Sequence, residues 1–213
     1  MISTGDGGML TTQRADWDSR FRLLRQHAMS VSDTERHSAG RVIFESYPAV
    51  GFNYRMTDIQ AAVGREQLKR LPTIVVRRRQ LAQQYAQLLH DAEGLEPPEE
   101  PGSARSNWQS YCVRLPAHCD QRTVMQRLLD AGIATRRAVM CCHREEAYRD
   151  VPAVHALARS LARSERAQDH CILLPLFPDL TQQEQEHIVR ALGEACAPAP
   201  ANAGPQLAAH TMP

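Results

Sequence analysis

The segment 51–56, "GFNYRM", groups residue types that bind anions. Asn53 carries an amide N–H and Arg55 a guanidinium, and both groups donate hydrogen bonds to phosphate or carboxylate oxygens. The segment closes an irregular stretch and directly precedes a capped helix. A second interpretation stays open, because Arg55 could pair with one of the chain's 24 acidic residues. Composition alone favours this second interpretation.

Three other patterns are weaker candidates for chemistry. The glycine-rich segment "TGDGG", residues 4–8, lacks the spacing of a phosphate-binding loop and precedes no helix, so a structural turn is favoured. Cys141, Cys142 and His143 are adjacent and cannot easily direct three ligands at one tetrahedral ion, so no metal site is predicted. The run 77–79, three arginines, is interpreted as a solvent-exposed helix face.

Composition and charge exclude several classes of protein. The 213 residues are 43% hydrophobic and 23% charged, which is typical of a globular chain with one sizeable core or two small ones. A net charge of +1 provides no basic field for a nucleic acid or an anionic membrane. The longest apolar run, residues 171–177, is too short to span a bilayer, and the first residues form no secretory signal. We therefore expect a cytoplasmic protein without nucleic-acid or membrane partners.

Helical signals dominate the first ninety residues or so. Apolar residues at helical spacing predict a helix over residues 15–29, after a short strand at residues 9–12. Thr57 and Gln60 form a capping box that begins the next helix. Pro72 suits the first turn of a further helix, so the sequence predicts a break there.

The rest of the chain alternates strands and helices. Strands are predicted at residues 108–115, 133–136 and 171–176, and helices are predicted to begin after Asp120 and Thr181. This order predicts a compact α/β domain with helices on one face of a sheet.

Five segments carry more information together than any of them does alone. They are "STGDGGMLTT", "FRLLRQHAM", "GFNYRMTDIQAAVGREQLKRL", "NWQSYCVRL" and "ILLPLFPDLTQQEQEHIV". In this order and spacing they resemble the DegT/DnrJ/StrS family of pyridoxal-phosphate (PLP) sugar aminotransferases. The resemblance covers roughly residues 1–195, and the third segment is its most specific part.

The resemblance implies an α/β fold, namely the C-terminal half of an aspartate-aminotransferase-like transferase of PLP fold type I. Residues 1–71 would be a remnant of the large PLP-binding domain, and residues 72–196 the small C-terminal α/β domain. Residues 197–213, rich in alanine and proline, are expected to form a disordered tail.

The resemblance also implies an activity. The family transfers an amino group from an amino acid, usually glutamate or glutamine, to the keto carbon of a nucleotide-linked sugar, in amino-sugar, polysaccharide or antibiotic biosynthesis. Pyridoxal 5'-phosphate serves as the electron sink and is held by a Schiff-base lysine. In the family this lysine directly precedes a glycine-rich turn like residues 4–8, so here it would precede Met1. The chain's single lysine, Lys69, matches the exposed end of a helix instead.

Individual residues acquire expected roles from the resemblance. Asn53 is expected to reach the phosphate of the partner subunit's PLP across a homodimer. Arg55 is expected to approach the phosphates of a nucleotide-sugar, and His143 to lie in a substrate-facing loop. No catalytic residue is assigned within the chain.

Two hypotheses follow about what the chain does. In the first, it is a truncated or mis-started aminotransferase that forms homodimers and is inactive alone, because the Schiff-base lysine is absent. In the second, it is a non-catalytic partner that dimerises with a full-length relative and lends half-site residues to it. A nucleic-acid-binding module is disfavoured by the balanced charge.

Overall fold

The computed structural model describes residues 1–151 and 161–198. The chain divides into two compact units, Met1–Pro72 and the residues from Thr73 onward. Residues 199–213, most of the predicted disordered tail, lie outside the described residues.

The first helix of the first unit is shorter than predicted. Helix α1 covers Ala15–Leu24, whereas the apolar spacing predicts a helix to residue 29. His27 and Ala28 have φ angles of 57° and 56°, and a right-handed helix cannot continue through residues in the left-handed region. The backbone therefore turns after residue 25, although Ala28 is fully buried.

A second short helix lies between α1 and Gly51, where the sequence predicts no helix or strand. Helix α2 covers Asp33–Ser38 and begins with a capping box. The backbone N–H of Glu35 donates to Ser32 Oγ (3.2 Å), and the Glu35 carboxylate accepts from the Ser32 backbone N–H (2.8 Å). The two bonds satisfy backbone donors that have no partner within the helix.

The strand predicted at residues 9–12 does not form. In the first unit this stretch is irregular, and Met9 and Leu10 are 76% and 73% exposed. A strand needs a hydrogen-bonded neighbour, and the first unit's one bridge of this kind joins Gln26 to Asn53 instead. The prediction failed because β propensity alone does not supply a pairing partner.

The predicted helix break at Pro72 is also wrong. Helix α3 runs without interruption from Asp58 to Leu88 and contains Pro72. Proline cannot donate to the carbonyl four residues earlier, which belongs to Leu68. Pro72 and Leu68 are both exposed, so water can satisfy that carbonyl group. The capping box predicted at the start of this helix is confirmed, because the Gln60 N–H donates to Thr57 Oγ1 (3.3 Å).

The second unit contains a three-stranded antiparallel sheet with the strand order β1-β3-β2. The strands are β1 (Tyr111–Arg114), β2 (Arg136–Arg137) and β3 (Cys171–Leu174). In the central strand, Ile172 lies opposite Val113 on one side and Arg137 on the other. The buried strand predicted at residues 171–176 is therefore the middle of the sheet.

Within residues 73–151 and 161–198, three helices besides α3 and two short 3₁₀ turns accompany the sheet. They are α4 (Gln121–Asp130), α5 (Ala162–His170), α6 (Gln182–Cys196) and the turns Cys142–Arg144 and Glu146–Tyr148. The predicted caps are confirmed: Asp120 accepts from the Thr123 N–H (2.8 Å), and Thr181 and Glu184 form a capping box.

The core of the second unit lies between the sheet, the C-terminal part of α3, α4 and α6. Its fully buried side chains include Leu81, Tyr85, Tyr111, Val113, Leu128, Ile172 and Leu192. The Tyr85 hydroxyl donates to the Pro175 carbonyl (2.9 Å), so this phenol is satisfied inside the core. The α/β class predicted from the sequence is confirmed.

The arginine run 77–79 is not a solvent-exposed face. Arg77 donates to the carbonyls of Pro178 (3.0 Å) and Leu180 (2.7 Å). Arg78, which is 8% exposed, donates to two carbonyls at residues 108 and 109, and Arg79 donates to one at residue 106. The three guanidinium groups therefore hold loops of the second unit against α3, because irregular backbone near a core needs hydrogen-bond donors.

Adjacent leucines of α4 provide a matched test of this core. Leu128 is fully buried and Leu129 is 57% exposed. We expect Leu128→Ala to lower the free energy of unfolding by about 2–5 kcal/mol, because it leaves a cavity. Leu129→Ala should change it by no more than about 0.5 kcal/mol, because the exposed side chain leaves no cavity. The change in helix propensity from leucine to alanine is the same in both variants. Urea unfolding followed by circular dichroism measures both; equal losses would contradict the burial described here.

Candidate functional site

The "GFNYRM" segment is fixed by backbone hydrogen bonds to the end of α1. The Phe52 N–H donates to the Leu24 carbonyl (2.7 Å), and the Phe52 carbonyl accepts from the His27 N–H (2.9 Å). The Tyr54 N–H donates to the Arg25 carbonyl (2.9 Å). An irregular segment is thus held in register by pairing with a helix end.

Glycine is required at the start of this segment. A Cβ atom on Gly51 would lie 2.2 Å from the backbone nitrogen of Ala28 and 2.2 Å from the carbonyl carbon of His27. Such distances are far inside van der Waals contact, so only glycine allows the two backbones to approach this closely.

The side chains of the segment fall into two groups. Phe52 and Tyr54 stack with ring centroids 5.0 Å apart and an angle of 11° between the rings. Arg55 Nε donates to Asn53 Oδ1 (3.3 Å). Residues 52 and 54 therefore form an aromatic pair, and residues 53 and 55 form a polar pair.

The polar pair has the chemistry of an anion-binding group. Asn53 and Arg55 are both exposed, and their mutual bond uses the carbonyl oxygen of the asparagine amide. Among the described residues, no acceptor is bonded to the Asn53 amide nitrogen. The structure thus brings together two of the three residues singled out from the sequence, with N–H donors suited to a phosphate.

The glycine-rich segment 4–8 is a turn, as the sequence predicts. Gly5 and Gly7 have φ angles of 84° and 144°, and Thr4 Oγ1 donates to the Asp6 carbonyl (2.7 Å). That carbonyl also accepts from the side-chain amide of Gln60 (3.0 Å). The turn is therefore attached to the first turn of α3 within the first unit.

Lys69 is separated from these groups along α3. Its ammonium group pairs with Glu66 at 2.6 Å, and both side chains are about 70% exposed. Lys69 lies eleven residues beyond Asp58, the first residue of α3, which corresponds to about 16 Å along the helix axis. Lys69 is exposed, as expected, but it lies inside α3 and not at a helix end, because the helix continues past Pro72 to Leu88.

His143, the third candidate residue, lies in the second unit beside a cavity of about 610 Å³. Its imidazole is 8% exposed, and Nε2 lies 2.7 Å from Glu165 Oε1. The remaining walls are largely apolar and sulfur-containing, with Val139, Met140 and Cys112 among them.

Three cysteines line this cavity, namely Cys112, Cys141 and Cys142, and the first of them is not an activated nucleophile. Burial and the neighbouring Cys171 raise the pKa of Cys112 to about 11. The thiolate is the reactive form of cysteine, so Cys112 is protonated and unreactive at neutral pH. The imidazole of His143 and the hydroxyl of Ser164 are hydrogen-bonding side chains of the cavity wall.

Glu165, the partner of His143, is not among the residues singled out from the sequence. The signal available was the polar spacing 165, 168, 169 on a short helix directly before a buried strand. That spacing marks one face of a helix but does not identify what the face contacts.

Metal clusters and membrane-spanning helices are both absent from the described residues. No three His, Cys, Asp or Glu side chains of residues 1–151 and 161–198 come together in a way that could hold a metal ion. In the same part of the chain, no helix is both long enough and apolar enough to cross a bilayer.

Comparison with known proteins decides the family. The model of the DegT/DnrJ/EryC1/StrS aminotransferase family matches residues 1–193. The chain belongs to this family. The resemblance inferred from the five sequence segments is thereby confirmed.

Individual relatives agree with this assignment. The chain is 30% identical over 199 residues to the UDP-4-amino-4-deoxy-L-arabinose--oxoglutarate aminotransferase of Shewanella sediminis, and the match covers 91% of the chain and 51% of the relative. The crystal structure of the aminotransferase TlmJ from Streptoalloteichus hindustanus matches with a TM-score of 0.74 and 29% identity, covering 91% of the chain and 48% of TlmJ.

A more distant structure shows the same fold. PseC of Helicobacter pylori, an aminotransferase involved in the biosynthesis of pseudoaminic acid, matches with a TM-score of 0.72 at 19% identity, over 87% of the chain and 47% of PseC. The chain thus spans about half the length of these relatives. The fold predicted from the resemblance, part of a fold-type I aminotransferase, is confirmed.

Glycine substitutions test the geometry that positions Asn53. We expect Gly51→Ala to destabilise the chain by about 1–3 kcal/mol, because the added methyl group forces two backbones apart. Gly8→Ala is the matched control, since a Cβ atom there meets nothing within 4 Å. Thermal and urea unfolding compare the two variants, and a Gly51→Ala variant as stable as the control would show that the close approach does not exist.

Proposed function

We propose that this chain provides part of a PLP-dependent aminotransferase acting on nucleotide-linked keto-sugars. The observation that carries the proposal is the family match over residues 1–193, which includes the exposed pair Asn53 and Arg55. The amino donor would be an amino acid such as glutamate or glutamine. The product would be an amino-sugar for polysaccharide or antibiotic biosynthesis in the cytoplasm.

The proposal assigns a role to each unit. Residues 1–71 form a remnant of the large PLP-binding domain, and residues 72–196 form the small C-terminal domain. The boundary between the two compact units, after Pro72, supports this division.

The donor set of the first unit fits the phosphate of the cofactor. The Asn53 amide and the Arg55 guanidinium are exposed and adjacent, and both carry N–H donors suited to phosphate oxygens. We propose that Asn53 binds the phosphate of the partner subunit's PLP and that Arg55 binds the phosphates of the nucleotide-sugar. PLP, when bound, supplies the electron sink for amino transfer.

The lysine that would hold the cofactor covalently is the part of the site that has no suitable residue among these 213. Lys69 is their single lysine, and it is exposed and paired with Glu66 on α3. We therefore propose that the 213-residue chain by itself does not catalyse amino transfer. Loss of a positioned acid/base group alone commonly lowers a rate by about 10²–10⁴-fold.

An activity assay on the purified 213-residue chain tests this proposal. The chain is incubated with PLP, glutamate and a UDP-linked keto-sugar, and the amino-sugar is measured by mass spectrometry. We expect no product above the rate of PLP and substrates without protein. Product formation by the chain, and its loss in Lys69→Arg, would show that Lys69 is the anchor and would contradict the proposal.

The second proposed function is that of a non-catalytic dimer partner. Three apolar residues of the irregular segment before Gly51, namely Val42, Phe44 and Val50, are 84%, 91% and 86% exposed. Apolar groups exposed to this extent in one short segment favour a protein contact. The partner would be a second copy of the chain or a full-length relative, which would receive Asn53 in its PLP site.

Complementation tests the second proposed function. A full-length family aminotransferase, inactivated by substitution of its own phosphate-binding asparagine, is mixed with this chain. Activity should reappear with the wild-type chain and fall about 10–100-fold with Asn53→Ala, the loss expected for one charge-assisted hydrogen bond. Asn107→Ala, an exposed asparagine of the second unit, is the control. Equal activity with both variants, or none with wild type, would rule out this role.

A further inference from the structure

Helix α5 directs three polar side chains at the loop that carries His143. Glu165, Gln168 and Asp169 are spaced three and four residues apart, so they lie on one face of the helix. Each contacts one loop residue: Glu165 Oε1 lies 2.7 Å from His143 Nε2, Gln168 Oε1 accepts from the Cys141 backbone N–H, and Asp169 Oδ1 accepts from Arg144 (2.7 Å).

The three contacts differ in what they hold. Gln168 binds backbone, and the Arg144–Asp169 ion pair is 37% and 46% exposed at its two side chains. Glu165 instead binds the ring of His143, which is 8% exposed and lines the cavity. Of the three, therefore, only the Glu165 contact fixes the orientation of a side chain that lines the cavity.

The carboxylate determines which ring nitrogen carries a hydrogen. An ionised carboxylate has no hydrogen to donate, so His143 Nε2 must be the donor in the 2.7 Å contact with Glu165. When the ring is neutral, the other nitrogen, Nδ1, then holds a lone pair and accepts hydrogen bonds.

Within the described residues, His143 Nδ1 is neither hydrogen-bonded nor buried without a partner. The ring's hydrogen bond among these residues is the one to Glu165, and Nδ1 does not occur among the buried polar atoms without a partner. Those atoms are Arg78 Nε, Tyr111 Oη, His170 Nδ1 and Gln185 Oε1. An unbonded nitrogen that is not buried must face accessible space, and His143 lines the cavity.

The cavity has the character of a site for a hydroxylated ring. Its volume of about 610 Å³ falls in the range typical of small-molecule sites. The walls offer apolar surface from Val139 and Met140 and one hydroxyl from Ser164. A sugar presents apolar ring faces and hydroxyl donors, and a neutral imidazole acceptor complements one such donor.

We propose that Glu165 is a positioning residue: it holds His143 with the hydrogen on Nε2, so that Nδ1 accepts a hydrogen bond from a hydroxyl group of a sugar in the cavity. This inference rests on the proposed function, from which the sugar is taken. Gln168 binds the loop backbone and Glu165 positions the ring, whereas the exposed Arg144–Asp169 ion pair contributes little.

Nitrogen-15 NMR of the ligand-free 213-residue chain tests the ring orientation independently of activity. At a pH where titration shows the His143 ring to be neutral, we expect the wild-type hydrogen on Nε2. Glu165→Ala should change the Nε2 and Nδ1 shifts, and Glu165→Gln should restore them, since the glutamine carbonyl also accepts. Asp169→Ala, a matched truncation on the same helix face, should leave them unchanged. A hydrogen on Nδ1 in the wild type, or shifts insensitive to Glu165→Ala, would overturn the inference.

Titration with UDP-glucose tests the ligand. We expect the Nδ1 resonance of His143 to move on binding, and Glu165→Ala to weaken binding about threefold to tenfold, the effect of one hydrogen bond. Asp169→Ala should bind within about twofold of wild type. Shifts confined to residues other than His143 would overturn this inference alone. An absence of shifts anywhere in the chain would contradict both this inference and the proposed function.

Discussion

Irregular backbone beside a folded element must have its carbonyl and amide groups hydrogen-bonded, and this requirement fixes both candidate site segments. In the first unit, the backbone of Phe52 and Tyr54 pairs with the end of α1, where the last carbonyl groups have no partner within the helix. In the second unit, the Cys141 backbone N–H of the loop that carries His143 donates to Gln168. Elsewhere in that unit, the Arg77–Arg79 guanidinium groups bind five loop carbonyls. Burial lowers the pKa of Arg78, yet an arginine stays charged, so carbonyl dipoles stabilise this nearly buried cation.

The parts of the fold that follow from local chemistry could be read from the sequence. Thr57 with Gln60 and Thr181 with Glu184 form the predicted capping boxes because the partners are three residues apart and need no tertiary structure. The apolar run that begins at Cys171 is the central strand, since a strand between two others is shielded along both edges. The overall fold, which no single pattern specifies, is predicted from the family resemblance.

The sequence-based predictions are wrong or incomplete where the structure depends on contacts with residues that are distant along the chain. A proline normally ends a helix, but Pro72 remains inside α3, where Pro72 and Leu68, the residue whose carbonyl loses its donor, are both exposed. Three consecutive arginines normally face water, but Arg78 meets carbonyls about thirty residues away along the chain. In the site, Asn53 and Arg55 could be singled out by residue type. Glu165 could not, because its pairing with His143 depends on how α5 lies against a loop twenty-two residues earlier.

The His143–Glu165 contact is difficult to explain by stability alone. Holding the imidazole at 8% exposure beside a carboxylate that is 36% exposed carries a desolvation cost, chiefly for the ring, and an apolar pair of similar volume would avoid it. The wall around them is otherwise apolar, so such a pair could be accommodated there. What an apolar pair cannot supply is a directed lone pair at the cavity surface, because that requires a ring nitrogen with its counterpart held by an acceptor. The physical function of the contact is therefore to set the direction and protonation of one nitrogen, while the bond from the Cys141 backbone to Gln168 holds the loop against α5.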